Sequence, residues 1–160
     1  MKGKITIMYA IIGVLGLIYL ICAVVVLYNW AVSALALKIE PIHLVLGVFV
    51  PSDPGSAIVF MTASMLLFGS IYYRYDEYKY TSCLLVGSLL GTALLVLQLL
   101  ILLANIGDAF VLTLYGEVAE YNIMEDVLRP EILLGLISAV IFHNSLKSLK
   151  RLTMRPEKNI

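Results

Sequence analysis

Gln98 and Asn105 are the polar side chains best placed to do something inside this chain. They lie seven residues apart in an uncharged apolar run. With Gly87, Gly91, Leu94 and Leu102 they fall on one helix face at about 100° per residue. Amides at that depth can hydrogen-bond across a helix seam or line a path for a polar solute. Gly87 and Gly91 have the small-xxx-small spacing that lets helix backbones approach closely. Facing stripes are available in Tyr9, Gly13, Gly16, Leu20 and Ala23, in Thr62 and Gly69, and in Gly135 and Ala139. Packing within one bundle is the plainer use of all of them. A homodimer seam or a polar path is the sharper one.

Carboxylates gather elsewhere, in Glu117, Glu120, Glu125 and Asp126. Such a patch attracts cations, but its spacing is not that of a calcium loop, so a solvated acidic face is the expectation. His43 and His143 fall at opposite ends of the expected bundle and cannot meet at one haem iron. Cys22 and Cys83 are likewise too far apart to pair, because a disulfide needs Cα atoms within about 7 Å. The chain shows no nucleophile triad, no zinc spacing and no phosphate-cradling glycine loop. It therefore calls for no catalytic residue, no cofactor and no metal. No basic patch is large enough to face a nucleic acid.

The elements that must position these residues are membrane spans. Hydrophobic residues make up 61% of the chain and charged residues 14%, against about 45–50% and 25% in a soluble domain. Residues 5–37 form 33 positions without a charge, following Lys2 and Lys4. That run far exceeds the ~7–15 residues of a signal-peptide core, so it reads as a retained span. Uncharged runs recur at 55–73, 80–107 and 132–146. They are continuous rather than alternating, which selects helices over a β-barrel.

The expected fold is all-α: one domain over residues 1–160, a bundle of four transmembrane helices near 5–28, 55–73, 81–105 and 131–149. Outer loops cover 29–54 and 106–130, and a basic tail covers 150–160. Nine of the eleven Lys and Arg fall on the side of the termini and eight of the eleven Asp and Glu on the other. Both termini are then expected in the cytoplasm, with the chain in the plasma membrane. Tyrosines agree: five crowd the inner hairpin between Tyr72 and Tyr80, where an aromatic belt is favoured. The outer loops hold apolar stretches. Residues 42–50 are too short to span as a helix and read as interfacial, re-entrant or docked on a partner, and residues 116–128 read as a surface helix.

The two halves share a hydropathy layout: a long helix, an outer loop, a proline before a shorter helix, and closing basic residues. At an offset of 76 Asn29 meets Asn105, Pro54 meets Pro130 and Arg74 meets Lys150, matches no more numerous than chance gives. The layout is that of a parallel repeat, not of the inverted repeat common in transporters. None of the expected spans carries Asp, Glu, Lys or Arg in its interior, which disfavours a proton-driven pump. The expected function is a non-enzymatic accessory or scaffold subunit of a membrane complex. It would sit in the lipid bilayer and meet a protein partner, or itself, through its transmembrane helices and outer loops. A small oligomeric passive transporter or channel is the rival, and a membrane enzyme using the outer acidic loop is the third reading.

Overall fold

The computed structural model describes residues 2–36, 39–42, 44–45, 48–116 and 121–154. Four long helices carry it: α1 (Lys2–Ala34), α2 (Pro54–Tyr72), α3 (Glu77–Leu114) and α5 (Pro130–Thr153). Each is long and apolar enough to cross a bilayer, so the protein is an all-α, multi-pass transmembrane bundle. Two strands of two residues, β1 (Leu44–Val45) and β2 (Val48–Phe49), and a short helix α4 (Ile123–Val127) complete the described residues.

Helix starts follow local chemistry. The Asp53 carboxylate accepts from the Gly55 and Ser56 amides at 3.1 and 2.9 Å, and Pro54 takes the first helical position of α2. Asp76 caps α3 in the same way, and Pro130 opens α5. Along the chain the long helices pack in series, α1 on α2, α2 on α3 and α3 on α5, while α1 and α5 hardly touch. Ile12, Leu15, Tyr19, Ala23 and Val26 form the buried stripe of α1 at three- and four-residue intervals. Its other face keeps Ile11, Val14, Leu17, Ile21 and Val24 exposed. An exposed face that apolar suits only lipid or another apolar surface.

The expected boundaries shift at one end of the bundle, where the loops lie and which is here termed the loop end. α3 does not stop at residue 105 but continues through Gly107 and Asp108 to Leu114. One glycine costs a helix only about 1 kcal/mol relative to alanine, and the following Ala-Phe-Val-Leu favours continuation. Within residues 42–50 the described positions 44–45 and 48–49 are strand. These two strands pair antiparallel, Leu44 opposite Phe49 and Val45 opposite Val48, so that each supplies backbone partners to the other. Of residues 116–128 only Ile123–Val127 is helical among the described residues, started by the Asn122 side chain. Lys38, His43, Glu117 and Glu120 lie outside the described residues.

Two of the pairs matched at the offset of 76 do similar work. Asn29 and Asn105 each reach from a long helix to the loop that follows it, and Pro54 and Pro130 each open the next helix. At the opposite, tyrosine-rich end, Tyr72 and Tyr73 stack edge to face at 5.1 Å, and the Arg74 guanidinium lies 4.8 Å from the Tyr75 ring centre.

Candidate functional site: a polar cavity beneath a tied cap

The glycines set how closely the helices meet. Gly13 and Gly16 of α1 face Ile71, Leu67 and Phe68 of α2, and the Ser64 hydroxyl donates to the Gly16 carbonyl at 2.8 Å. Gly87 faces Ala63, Leu66 and Leu67, also on α2. Gly91 turns instead toward Tyr19 of α1 and Ser138 of α5, and Gly135 of α5 sits against Leu95 and the Gly91 carbonyl. Gly87 and Gly91 thus serve different neighbours. Ala139 is half-buried on α5, and Thr62 is exposed and bonds its own helix, so Ala57, Phe60, Ala63, Ser64 and Leu67 form the buried face of α2 instead.

The centre of the bundle is closed. Tyr19 and Ser138 share a 2.8 Å hydrogen bond, the Tyr19 and Phe60 rings lie 5.6 Å apart, and all three residues, with Ala63 and Leu67, are fully buried. Sequence spacing does not reveal the Tyr19–Ser138 pair, since 119 positions separate its members. The only local hint is that Ser138 continues the small face begun by Gly135.

Toward the loop end, α2, α3 and α5 line a half-open cavity of about 460 Å³. Its polar lining is Asp53, Ser56, Gln98, Arg129 and Glu131. Gln98 is 3% exposed and its Nε2 has no hydrogen-bond partner; Glu131 is 4% exposed and its Oε2 has none. A donor and an acceptor are thereby left unmet along one cavity. Each buried unmet group costs roughly 1–3 kcal/mol unless water or a solute satisfies it. Glu131 is the residue that reasoning from the sequence misses. Read as part of the outer acidic side, it lies in the first turn of α5, where the helix dipole favours a carboxylate. The signal available was Pro130 in front of it, a preferred first helical residue.

Asn105 does not share this cavity. Its Nδ2 donates to Asp126 Oδ2 at 2.7 Å, Tyr121 donates to the same oxygen at 2.7 Å, and Arg129 pairs with Oδ1 at 3.1 Å. Asp126 is buried, whereas Glu125 is exposed, so these two members of the expected acidic patch have separate environments. The Asn29 amide binds both backbone groups of Ile42 at 2.8 Å, and the Phe49 amide donates to the Leu128 carbonyl at 3.0 Å. Both loops are therefore tied to the long helices and to each other, as a cap over the cavity end of the bundle. Among the described residues no cluster of His, Cys, Asp and Glu is arranged to hold a metal ion, and His143 is exposed on α5.

No curated protein and no solved structure matches the chain. A family model does, over residues 1–148, and its description as an integral membrane domain agrees with four helices long and apolar enough to span a bilayer. The chain belongs to the family described as the MJ0565 integral membrane domain.

Proposed function

We propose that this multi-pass membrane protein is a non-enzymatic accessory or scaffold subunit, working through the cap at its loop end. The supporting observation is the tied cap itself. Asn29–Ile42, Phe49–Leu128 and Asn105–Asp126–Arg129 tie the described parts of two loops to each other and to α1 and α3. Holding irregular segments in place costs backbone entropy of about 1–2 kcal/mol per residue, which a merely connecting loop has no need to spend. In the bilayer the tyrosine-rich end, with Arg74, Lys147, Lys150 and Arg151, faces the cytoplasm and the cap faces outward, in the plasma membrane. Partners, or a second copy, meet the cap and the exposed helix faces. Native mass spectrometry from mild detergent tests this. A stoichiometric partner or a defined oligomer is the expected result, and a lone monomer overturns it.

The cavity favours a second reading, passive passage of a small polar solute past Gln98. The closed centre at Tyr19, Phe60 and Ser138 weighs against it. Gln98→Leu separates the two. As a subunit, the protein shows no flux in liposomes, and Q98L stabilises it by ~1 kcal/mol by removing an unmet amide. Flux in the wild type that Q98L abolishes would establish the transport reading.

A further inference from the structure

The seam that the bundle leaves open runs between α1 and α5, which hardly touch. Along it Ala10, Ile11, Val14, Leu15 and Ile18 of α1 face Ile137 of α5 across a groove of about 340 Å³ with no polar lining. Nearer the tyrosine-rich end, Met8 extends this face of α1 toward a second cavity of about 360 Å³, which Tyr9 also lines. That cavity is polar: Arg74, Arg151, Tyr80, Thr81 and Ser148 line it, and Glu77 leaves the lining one positive charge in surplus. The Tyr80 hydroxyl is buried there without a hydrogen-bond partner.

We infer that these two cavities form one site for an anionic phospholipid. Its phosphate would lie between Arg74 and Arg151 and accept from the Tyr80 hydroxyl, and one acyl chain would fill the α1–α5 groove. Guanidinium forks match phosphate oxygens, and juxtamembrane arginines meet headgroups at this depth. The two cavities together have the right length. From Ser148 to Ile137 is eleven residues along α5, about 16 Å of helix, close to the ~15 Å thickness of one leaflet's hydrocarbon. A partner's helix would fit the apolar part, but it would bring no anion to the arginine end. Free phosphate would fit the arginines and leave the groove unused. Only a lipid uses both.

Native mass spectrometry of the full chain, titrated with phosphatidylglycerol or with phosphatidylcholine of the same acyl chains, tests the site. Phosphatidylglycerol should bind preferentially and in one-to-one stoichiometry. Arg74→Gln with Arg151→Gln should reduce that preference about thirtyfold, roughly fivefold per arginine. Val14→Trp, which obstructs the groove without touching a charge, should weaken both lipids. Three results would overturn the proposal. A loss of binding in Lys147→Gln with Lys150→Gln, exposed and outside the cavity, equal to that of the arginine pair would make the attraction a diffuse surface effect. Full competition by inorganic phosphate or glycerophosphoglycerol at equal concentration would make the site one for a soluble anion. Binding unaffected by the arginine pair would remove the site altogether. The two arginines lie at exposed positions, so circular dichroism and melting in lipid-free detergent should match the wild type.

Discussion

Gly91→Ala is expected to destabilise the bundle by about 3 kcal/mol. A Cβ at this position would collide with the Tyr19 hydroxyl and lie 2.6 Å from Ser138 Oγ and 2.8 Å from Ser138 Cβ. Neither neighbour has anywhere to go, because both side chains are fully buried at the meeting of three helices. Forcing one methyl into a packed core costs ~1–3 kcal/mol, and parting the Tyr19–Ser138 bond adds the ~0.6 kcal/mol typical of interhelical bonds in membranes. Gly135→Ala strains the same joint from the other side, since its Cβ would sit 2.5 Å from Leu95 Cβ and 3.0 Å from the Gly91 carbonyl. Gly107→Ala is the control: nothing lies within 4 Å of its Cβ, so improved helix propensity should leave it neutral or up to ~1 kcal/mol more stable. Reversible unfolding in mixed micelles with increasing dodecyl sulfate measures all three. Equal effects at Gly91 and Gly107 would refute the three-helix joint.

Asp126→Ala should release the cap, at a cost of about 3 kcal/mol. One buried carboxylate joins α3 through Asn105, the loop through Tyr121 and the approach to α5 through Arg129. Deleting it leaves a cation and two polar groups unmet together, and breaking a buried pair from one side costs ~3–5 kcal/mol. The lower figure applies because Arg129 is partly open to solvent. Faster hydrogen exchange in α4, with the α1–α2 packing unchanged, is the expected signature; protection lost uniformly along the chain would show that the cap is not a separate unit. The pH dependence follows from the same contacts. Burial pushes the Asp126 carboxyl up, but the bonds from Tyr121 and Asn105 and the Arg129 guanidinium outweigh it, leaving it below its ordinary value. Because the folded value is the lower one, this stabilisation is complete at neutral pH and disappears as pH falls below about 4. In Asp126→Asn the acid-induced loosening of α4 should be absent.

The spans were legible because four apolar runs are too long and too continuous to be anything else in this chain. The cap was not, and the reasons are specific. Asn105 stands out as an amide on an apolar face, but its partner is 21 positions on, in a stretch whose charges suggest a solvated surface. The buried role of Asp126 depends on three partners arriving together, which no periodicity encodes. Glu131 ends an apolar run when charges are counted, although Pro130 and the helix dipole make it the start of α5. The ribbon at 44–49 was obscured by hydrophobicity itself, since an apolar run in a membrane protein suggests lipid before it suggests a hairpin. Its β-branched and aromatic residues, Val45, Val48 and Phe49, were the better guide.

The four long helices are unequal, and the shortest governs the others. α2 has 19 residues, about 28 Å of rise, between an aspartate cap with a proline and a turn of tyrosines and charges. Neither end can lengthen into hydrocarbon, because Asp53 sits at one and Arg74 at the other. α1 and α3, at about 50 and 57 Å, tolerate a thick or a thin bilayer simply by emerging further or less far. α2 therefore acts as the molecule's gauge of membrane thickness. In a bilayer a few ångströms thicker than its rise, the bundle must stand upright or pinch the lipid around α2; in a thinner one it tilts. Tilt would carry the cap sideways at the tips of the two longest helices, so the position of the exposed loops should report on the lipid composition around α2.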